Sequence, residues 1–182
     1  MPASVLLLSG SLRRASTNTA ALRTVARVAP PGVSATLYDG LAALAAFDPD
    51  DDTDPPPTAR AARAAVRAAD AVMFSTPEYA GALPGSFKNF LDWCVGDAEP
   101  GSIYGKPVCW VRMSADRGAR AHESLRTVLG YVGAHIVEAA CVTVRVSATM
   151  VGEDGLVTGQ DAREQLRDAL EALVADVRTP AG

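Results

Sequence analysis

Five short apolar runs alternate with five longer amphipathic stretches along almost the whole chain, and no other feature restricts the possible folds so much. The runs at 4–8, 34–38, 71–75, 107–113 and 136–146 read as strands, and the stretches at 19–29, 58–69, 84–95, 117–132 and 159–177 place apolar residues at helical spacing. Parallel strands need a crossover of about a dozen residues or more, which an intervening helix supplies. A repeated β-α order therefore gives an α/β class, with a mainly parallel sheet covered by helices on both faces. Pro30-Pro31-Gly32 ends the first helix, whereas residues 48–57 are acidic and proline-rich and read as a solvated surface connection. The 182 residues suffice for one such core but not for two, so a single domain over 1–182 is expected.

In open sheets of this kind ligands collect beyond the carboxyl ends of the strands, so the loops that start near Ser9, Ser75 and Met113 are expected to converge. The first loop is Ser9-Gly10-Ser11-Leu12-Arg13-Arg14-Ala15-Ser16-Thr17-Asn18. Its glycine and hydroxyl residues let backbone N–H groups approach an oxyanion. Ser16 or Asn18 can cap the following helix, whose N-terminal dipole favours negative charge. Arg13 and Arg14 add guanidiniums whose fork suits phosphate. The P-loop pattern is absent, because Gly105-Lys106 is followed by Pro107, and no G-x-G-x-x-G follows the first strand. A mononucleotide phosphate loop is the pattern left.

The second loop is Thr76-Pro77-Glu78-Tyr79-Ala80-Gly81-Ala82-Leu83-Pro84-Gly85-Ser86-Phe87-Lys88-Asn89-Phe90-Leu91-Asp92-Trp93. Such a loop can lay backbone polar groups and one aromatic ring along a planar heterocycle, and a flavin ring meets that description. Together the two loops resemble those of the NADPH-dependent FMN reductase family, flavodoxin-like proteins that include chromate, azo-dye and quinone reductases. That family's phosphate loop looks like G-S-L-R-x-x-S-x-N, matched here by Gly10, Ser11, Leu12, Arg13, Ser16 and Asn18. Its second signature looks like P-E-Y-N-x-x-x-P-G-x-x-K-N-x-x-D-W. Pro77, Glu78, Tyr79, Pro84, Gly85, Lys88, Asn89, Asp92 and Trp93 match it.

The resemblance implies a flavodoxin-like three-layer sandwich with a five-stranded parallel sheet in the order 2-1-3-4-5. It implies FMN as cofactor, NADPH or NADH as reductant, and an oxidoreductase that passes hydride through FMN to a small electron acceptor: a quinone, azo compound, metal oxyanion or oxygen. By the same resemblance Ser9, Ser11, Arg13, Ser16, Thr17 and Asn18 hold the FMN phosphate. Pro77, Glu78, Tyr79, Ala80 and Gly81 line the ring and ribityl chain, and Ser114 approaches from the other side. Ala80 stands where the family commonly has Asn, so one polar contact to the flavin is missing, a loss of about 0.5 to 1.5 kcal/mol. Hydride transfer needs reacting atoms aligned at about 3 to 3.5 Å rather than a protein acid, so Glu78 is expected to be structural or a subunit contact. The Lys88-to-Trp93 region implies pairing into a homodimer or homotetramer.

Other classes are set aside by composition. A net charge of −4 argues against a nucleic-acid partner. No apolar run approaches a membrane span, and Met1-Pro2-Ala3-Ser4 lacks the basic start of a signal peptide, so a cytoplasmic protein without a membrane partner is expected. Cys94, Cys109 and Cys141 read as buried thiols, and His122 as an exposed helix residue rather than a metal ligand. Arg117 and Arg120 read as solvated, with a nicotinamide phosphate as the alternative. Two competing functions remain: a flavodoxin-type electron carrier, which the loop arginine and the modest acidity disfavour, and a flavodoxin-like interaction protein without redox activity.

Overall fold

The computed structural model describes residues 2–116 and 118–179, and it builds the alternating runs into a parallel sheet between two helical layers. Its elements are β1 (Ala3–Ser9), α1 (Thr17–Val28), β2 (Val33–Leu37), α2 (Pro57–Ala68), β3 (Ala71–Ser75), α3 (Gly85–Val95), β4 (Pro107–Arg112), α4 (Ala119–Tyr131), β5 (His135–Ile136), β6 (Val142–Thr143) and α5 (Gln160–Arg178). The strand order is β2-β1-β3-β4-β5, with every pairing parallel. This is the flavodoxin-like order, and it places the ends of β1, β3 and β4 side by side.

One expectation needs correction. The run at 136–146 is not a single strand: β5 pairs with β4 at Pro107 and Val108, a short 3-10 turn occupies Glu138–Ala140, and β6 returns to pair with β4 at Val111 and Arg112. The sheet therefore has six strands, two of them sharing one edge of β4. Glu and Ala are poor strand residues, and Glu138-Ala139-Ala140 leaves the ladder where they occur.

Period-two alternation in the strands fills both layers. Val5, Leu7, Met73, Cys109 and Val111 face one core with α1 and α5, while Leu6, Leu8, Val72, Phe74, Val108 and Trp110 face the other with Phe87, Phe90 and Leu125. In α5, Ala162, Leu166, Ala169, Leu170, Leu173 and Val174 are buried, the stripe expected of a helix lying on a sheet.

The helical end of the second loop's motif serves this framework. Asn89 accepts from the Phe47 amide at 2.7 Å and donates to the Ala45 carbonyl at 2.8 Å, and the Trp93 indole N–H donates to the same carbonyl at 2.8 Å. Trp93 is fully buried. Lys88 and Asp92 form the expected pair one turn apart, at 2.5 Å. Residues 48–57 are tethered through Asp52, which pairs with the buried Arg63, whose Nε in turn donates to the Trp93 carbonyl at 2.8 Å. That connection does not border the cleft described next.

Candidate functional site

A cleft of about 1010 Å³ opens over the carboxyl ends of β1, β3 and β4, where the three loops converge. At its β1 end Ser16 is the N-cap of α1, its side chain accepting from the Thr19 amide at 3.3 Å. The first turn of α1 carries no acidic residue, so its leading N–H groups and dipole are open to an anion. Ser11, Arg13, Ser16, Thr17 and Asn18 line this end. The Asn18 carboxamide oxygen accepts from Ser75 Oγ at 2.9 Å, which ties α1 to the end of β3. Ser9, expected as a ligand, is not among the lining residues: its hydroxyl pairs with Thr19 Oγ1 at 2.8 Å and it meets the Ser11 amide at 3.3 Å. It shapes the loop from beneath. Gly10 is required for a close approach, since a Cβ there would lie 2.3 Å from Thr76 Oγ1. That contact presses the first loop against the second.

The second loop reaches the cleft with Thr76, Pro77, Glu78 and Tyr79. Tyr79 and Ala82 exchange two backbone hydrogen bonds of 3.0 Å, so Ala80 and Gly81 form a two-residue hairpin turn with φ of 50° and 75°. Positive φ at both central residues is the geometry that favours Asn-Gly. The family's usual Asn at this position thus has a backbone reason, and Ala80 is the only non-glycine with positive φ among the described residues. Neither Ala80 nor Gly81 borders the cleft directly.

Glu78 has a clear structural task. Its Oε2 accepts from the amides of Arg120 at 3.0 Å and Ala121 at 3.2 Å, in the first turn of α4. A carboxylate supplied from 42 residues away thereby caps a helix whose own N-cap, Gly118, has no side chain to do so. The second and third loops are fixed to each other by these two bonds.

The third wall consists of Met113, Ser114, Ala115, Asp116, Gly118 and Arg120; Arg117 lies outside the described residues. Sequence reasoning missed the far end, which Arg112 and the segment from Arg145 to Met150 supply. The available signal was the position of Arg145 at the carboxyl end of the 136–146 run, but only the loops near Ser9, Ser75 and Met113 were expected to converge, and it is the pairing of β6 with β4 that brings this end to them.

His122 corrects another expectation. It is 5% exposed rather than solvated, because α4 turns it inward beside Trp110, and its Nδ1 lies 2.7 Å from the Gly118 carbonyl. Its Nε2 is buried without a hydrogen-bond partner. Burial, with the Arg112 guanidinium nearby, holds its pKa below 6.5, against the opposing pull of the Gly118 carbonyl and Glu78. Burial likewise raises the Cys94 thiol to about 12 and Cys141, which is only half-buried, to about 11, so neither is a thiolate nucleophile. No cluster of metal-ligating side chains occurs among the described residues.

The family model for NADPH-dependent FMN reductases matches residues 3–149. The chain belongs to this family. Among its relatives in the family, an NAD(P)H-dependent FMN reductase of Pseudomonas aeruginosa is 34% identical over 96% of this chain and 95% of its own length. A 2-hydroxy-1,4-benzoquinone reductase of a Burkholderia species is 29% identical, covering 98% of each. The solved structure of FerB, a flavoenzyme NAD(P)H:(acceptor) oxidoreductase from Paracoccus denitrificans, superposes with a TM-score of 0.82 at 25% identity, over 96% of this chain and 97% of FerB.

Proposed function

We propose that the chain is an FMN-dependent NAD(P)H oxidoreductase that reduces small acceptors, quinones foremost. The observation that carries this is the open N-terminus of α1 with Arg13, set in one cleft with the Pro77–Tyr79 edge and Ser114. The donor set fits FMN. Hydroxyls that accept from loop amides and keep their protons to donate, helix amides and a guanidinium suit one phosphate, while backbone and an aromatic ring suit a largely neutral heterocycle. Ser11, Arg13, Ser16, Thr17 and Asn18 would hold the phosphate, and Pro77, Glu78, Tyr79 and Ser114 would border the ring. Bound there, FMN supplies the two-electron chemistry that links NAD(P)H to the acceptor.

The protein's own contribution is placement. Ser9 and Gly10 hold the phosphate loop against Thr76, the Ala80-Gly81 turn presents Pro77 to Tyr79, and Glu78 locks that turn to α4. A hydride relay needs alignment rather than a protein acid or base, and the second loop's carboxylate, Glu78, is committed to the amides of α4. A cleft of about 1010 Å³ that sets small residues such as Ser114, Ala115, Gly118 and Ala148 among its arginines leaves room for varied planar acceptors, which supports quinones and similar compounds as substrates.

The reading includes a single domain over 1–182, a homodimer or homotetramer and a cytoplasmic location. Leu12 and Tyr79, more than half exposed beside the cleft, are apolar surface that a second copy would cover. No helix among the described residues is long and apolar enough to cross a membrane. The test is the visible spectrum of protein loaded with FMN and freed of excess, then given NADPH without oxygen. Bleaching of the retained flavin band, restored by a quinone, is the expected result. A retained flavin that NADPH leaves oxidised but a protein donor reduces would make the chain an electron carrier, and no retained flavin would overturn the proposal.

A further inference from the structure

The chain carries a net charge of −4, yet four arginines, Arg13, Arg112, Arg120 and Arg145, line the cleft against two carboxylates, Glu78 and Asp116. One of those carboxylates is committed to the amides of α4. None of the four arginines forms an ion pair among the described residues. Positive charge so concentrated, on an acidic protein, marks the cleft for more negative charge than the fold itself supplies.

The arginines fall into separate places. Arg13 belongs to the loop after β1, whereas Arg112 ends β4 and Arg145 follows β6, its immediate neighbour. Arg112 pairs in register with Thr143, and the Val144 amide donates to the Arg112 carbonyl at 2.8 Å, so alternation puts Arg112, Thr143 and Arg145 on one face of the sheet edge. Arg112 Nε donates to Thr143 Oγ1 at 3.2 Å, which orients the guanidinium and leaves its two terminal nitrogens for a ligand. From β1 across β3 and β4 to β6 is three strand spacings, about 14 Å. One phosphate cannot touch both ends, and FMN carries only one.

We propose that Arg112 and Arg145 form a second anion subsite that takes the 2′-phosphate of NADPH and sets a preference for NADPH over NADH. This rests on the reductase reading above. Two unpaired guanidiniums on one face match a phosphomonoester, which carries nearly two charges at neutral pH, better than the singly charged phosphates of a pyrophosphate. Thr143 acts as a positioning residue for Arg112.

The test uses the FMN-loaded protein, so that the β1 loop is filled. Calorimetric titration with 2′,5′-ADP and with 5′-AMP is expected to show at least about tenfold tighter binding of the former, an advantage lost in R145A and in R112Q. In turnover with one quinone, R145A is expected to lower the NADPH-to-NADH ratio of kcat/KM about tenfold, with the change falling in KM. R145K, which keeps the charge but not the fork, should recover part of the ratio. Equal affinity for the two nucleotides, or equal losses toward NADPH and NADH, would overturn the subsite, the second result assigning these arginines to the pyrophosphate. Failure of the reductase reading looks different: flavin bound and reduced by neither dinucleotide. An arginine-dependent preference for 2′,5′-ADP in such a protein would leave the subsite standing without that reading.

Discussion

Replacing Ala80 by asparagine should stabilise the protein even before any flavin binds. Ala80 sits at φ 50° and Gly81 at φ 75°, in a turn closed by the paired bonds of Tyr79 and Ala82. A left-handed conformation costs an ordinary L-residue about 1 to 2 kcal/mol, and asparagine tolerates it better than alanine. Recovering roughly half of that strain gives about 0.5 to 1 kcal/mol. For a chain of this length that is a rise in Tm of about 1 to 4 °C. Ala80→Gly removes the strain but loosens the unfolded chain, so its gain should be similar or smaller. Ala80→Val, branched at Cβ, should lower Tm. The assay is thermal unfolding followed by far-UV circular dichroism, on flavin-free and FMN-loaded protein side by side. A gain for Ala80→Asn that appeared only with FMN would mean a side-chain contact to the flavin and would refute the backbone argument.

Three further outcomes can be checked with the same preparations. Glu78→Ala strips the cap from α4 and should cost about 1 to 2 kcal/mol in the flavin-free protein, with weaker FMN retention as the second and third loops part; unchanged denaturant midpoints would contradict this. Arg13→Ala removes an exposed, unpaired guanidinium, so it should leave Tm of the flavin-free protein within a degree or so while lowering FMN affinity about tenfold or more, measured by quenching of flavin fluorescence. His122 has a folded pKa below its unfolded value of 6.5, so its contribution to stability is fully present above about pH 6.5 and is lost as pH falls through the folded pKa. His122→Gln should flatten that acid limb of the stability curve, and an identical limb in both proteins would show that other groups control it.

Local chemistry made much of this molecule readable. Strands at 71–75 and 107–113 announced themselves by the apolar runs 71–74 and 107–111, Pro30 and Gly32 by ending a helix, and Ser16 by its place just before α1. That Arg13, Thr17 and Asn18 would border a cleft was legible because a strand, a small-residue turn and a helix start follow one another without interruption. Long-range relations were not legible. Glu78 meets α4 across 42 residues, Ser9 pairs beneath the loop instead of lining it, and His122 is buried by Trp110 on another element. Arg145 reached the cleft because β6 breaks away from β5 and rejoins β4, a detour decided by three weak strand residues.

Two helices, α1 and α4, direct their N-termini toward the same cleft, and each is by nature attractive to an anion. Glu78 occupies one of them permanently. A molecule with a negatively charged tail and a neutral head that enters this cleft therefore finds one vacant helix N-terminus, and a tail turned toward the other would meet the Glu78 carboxylate there. The direction in which such a ligand lies is thus fixed less by shape than by the plug in the wrong socket, and a neutral residue at position 78 would open both orientations.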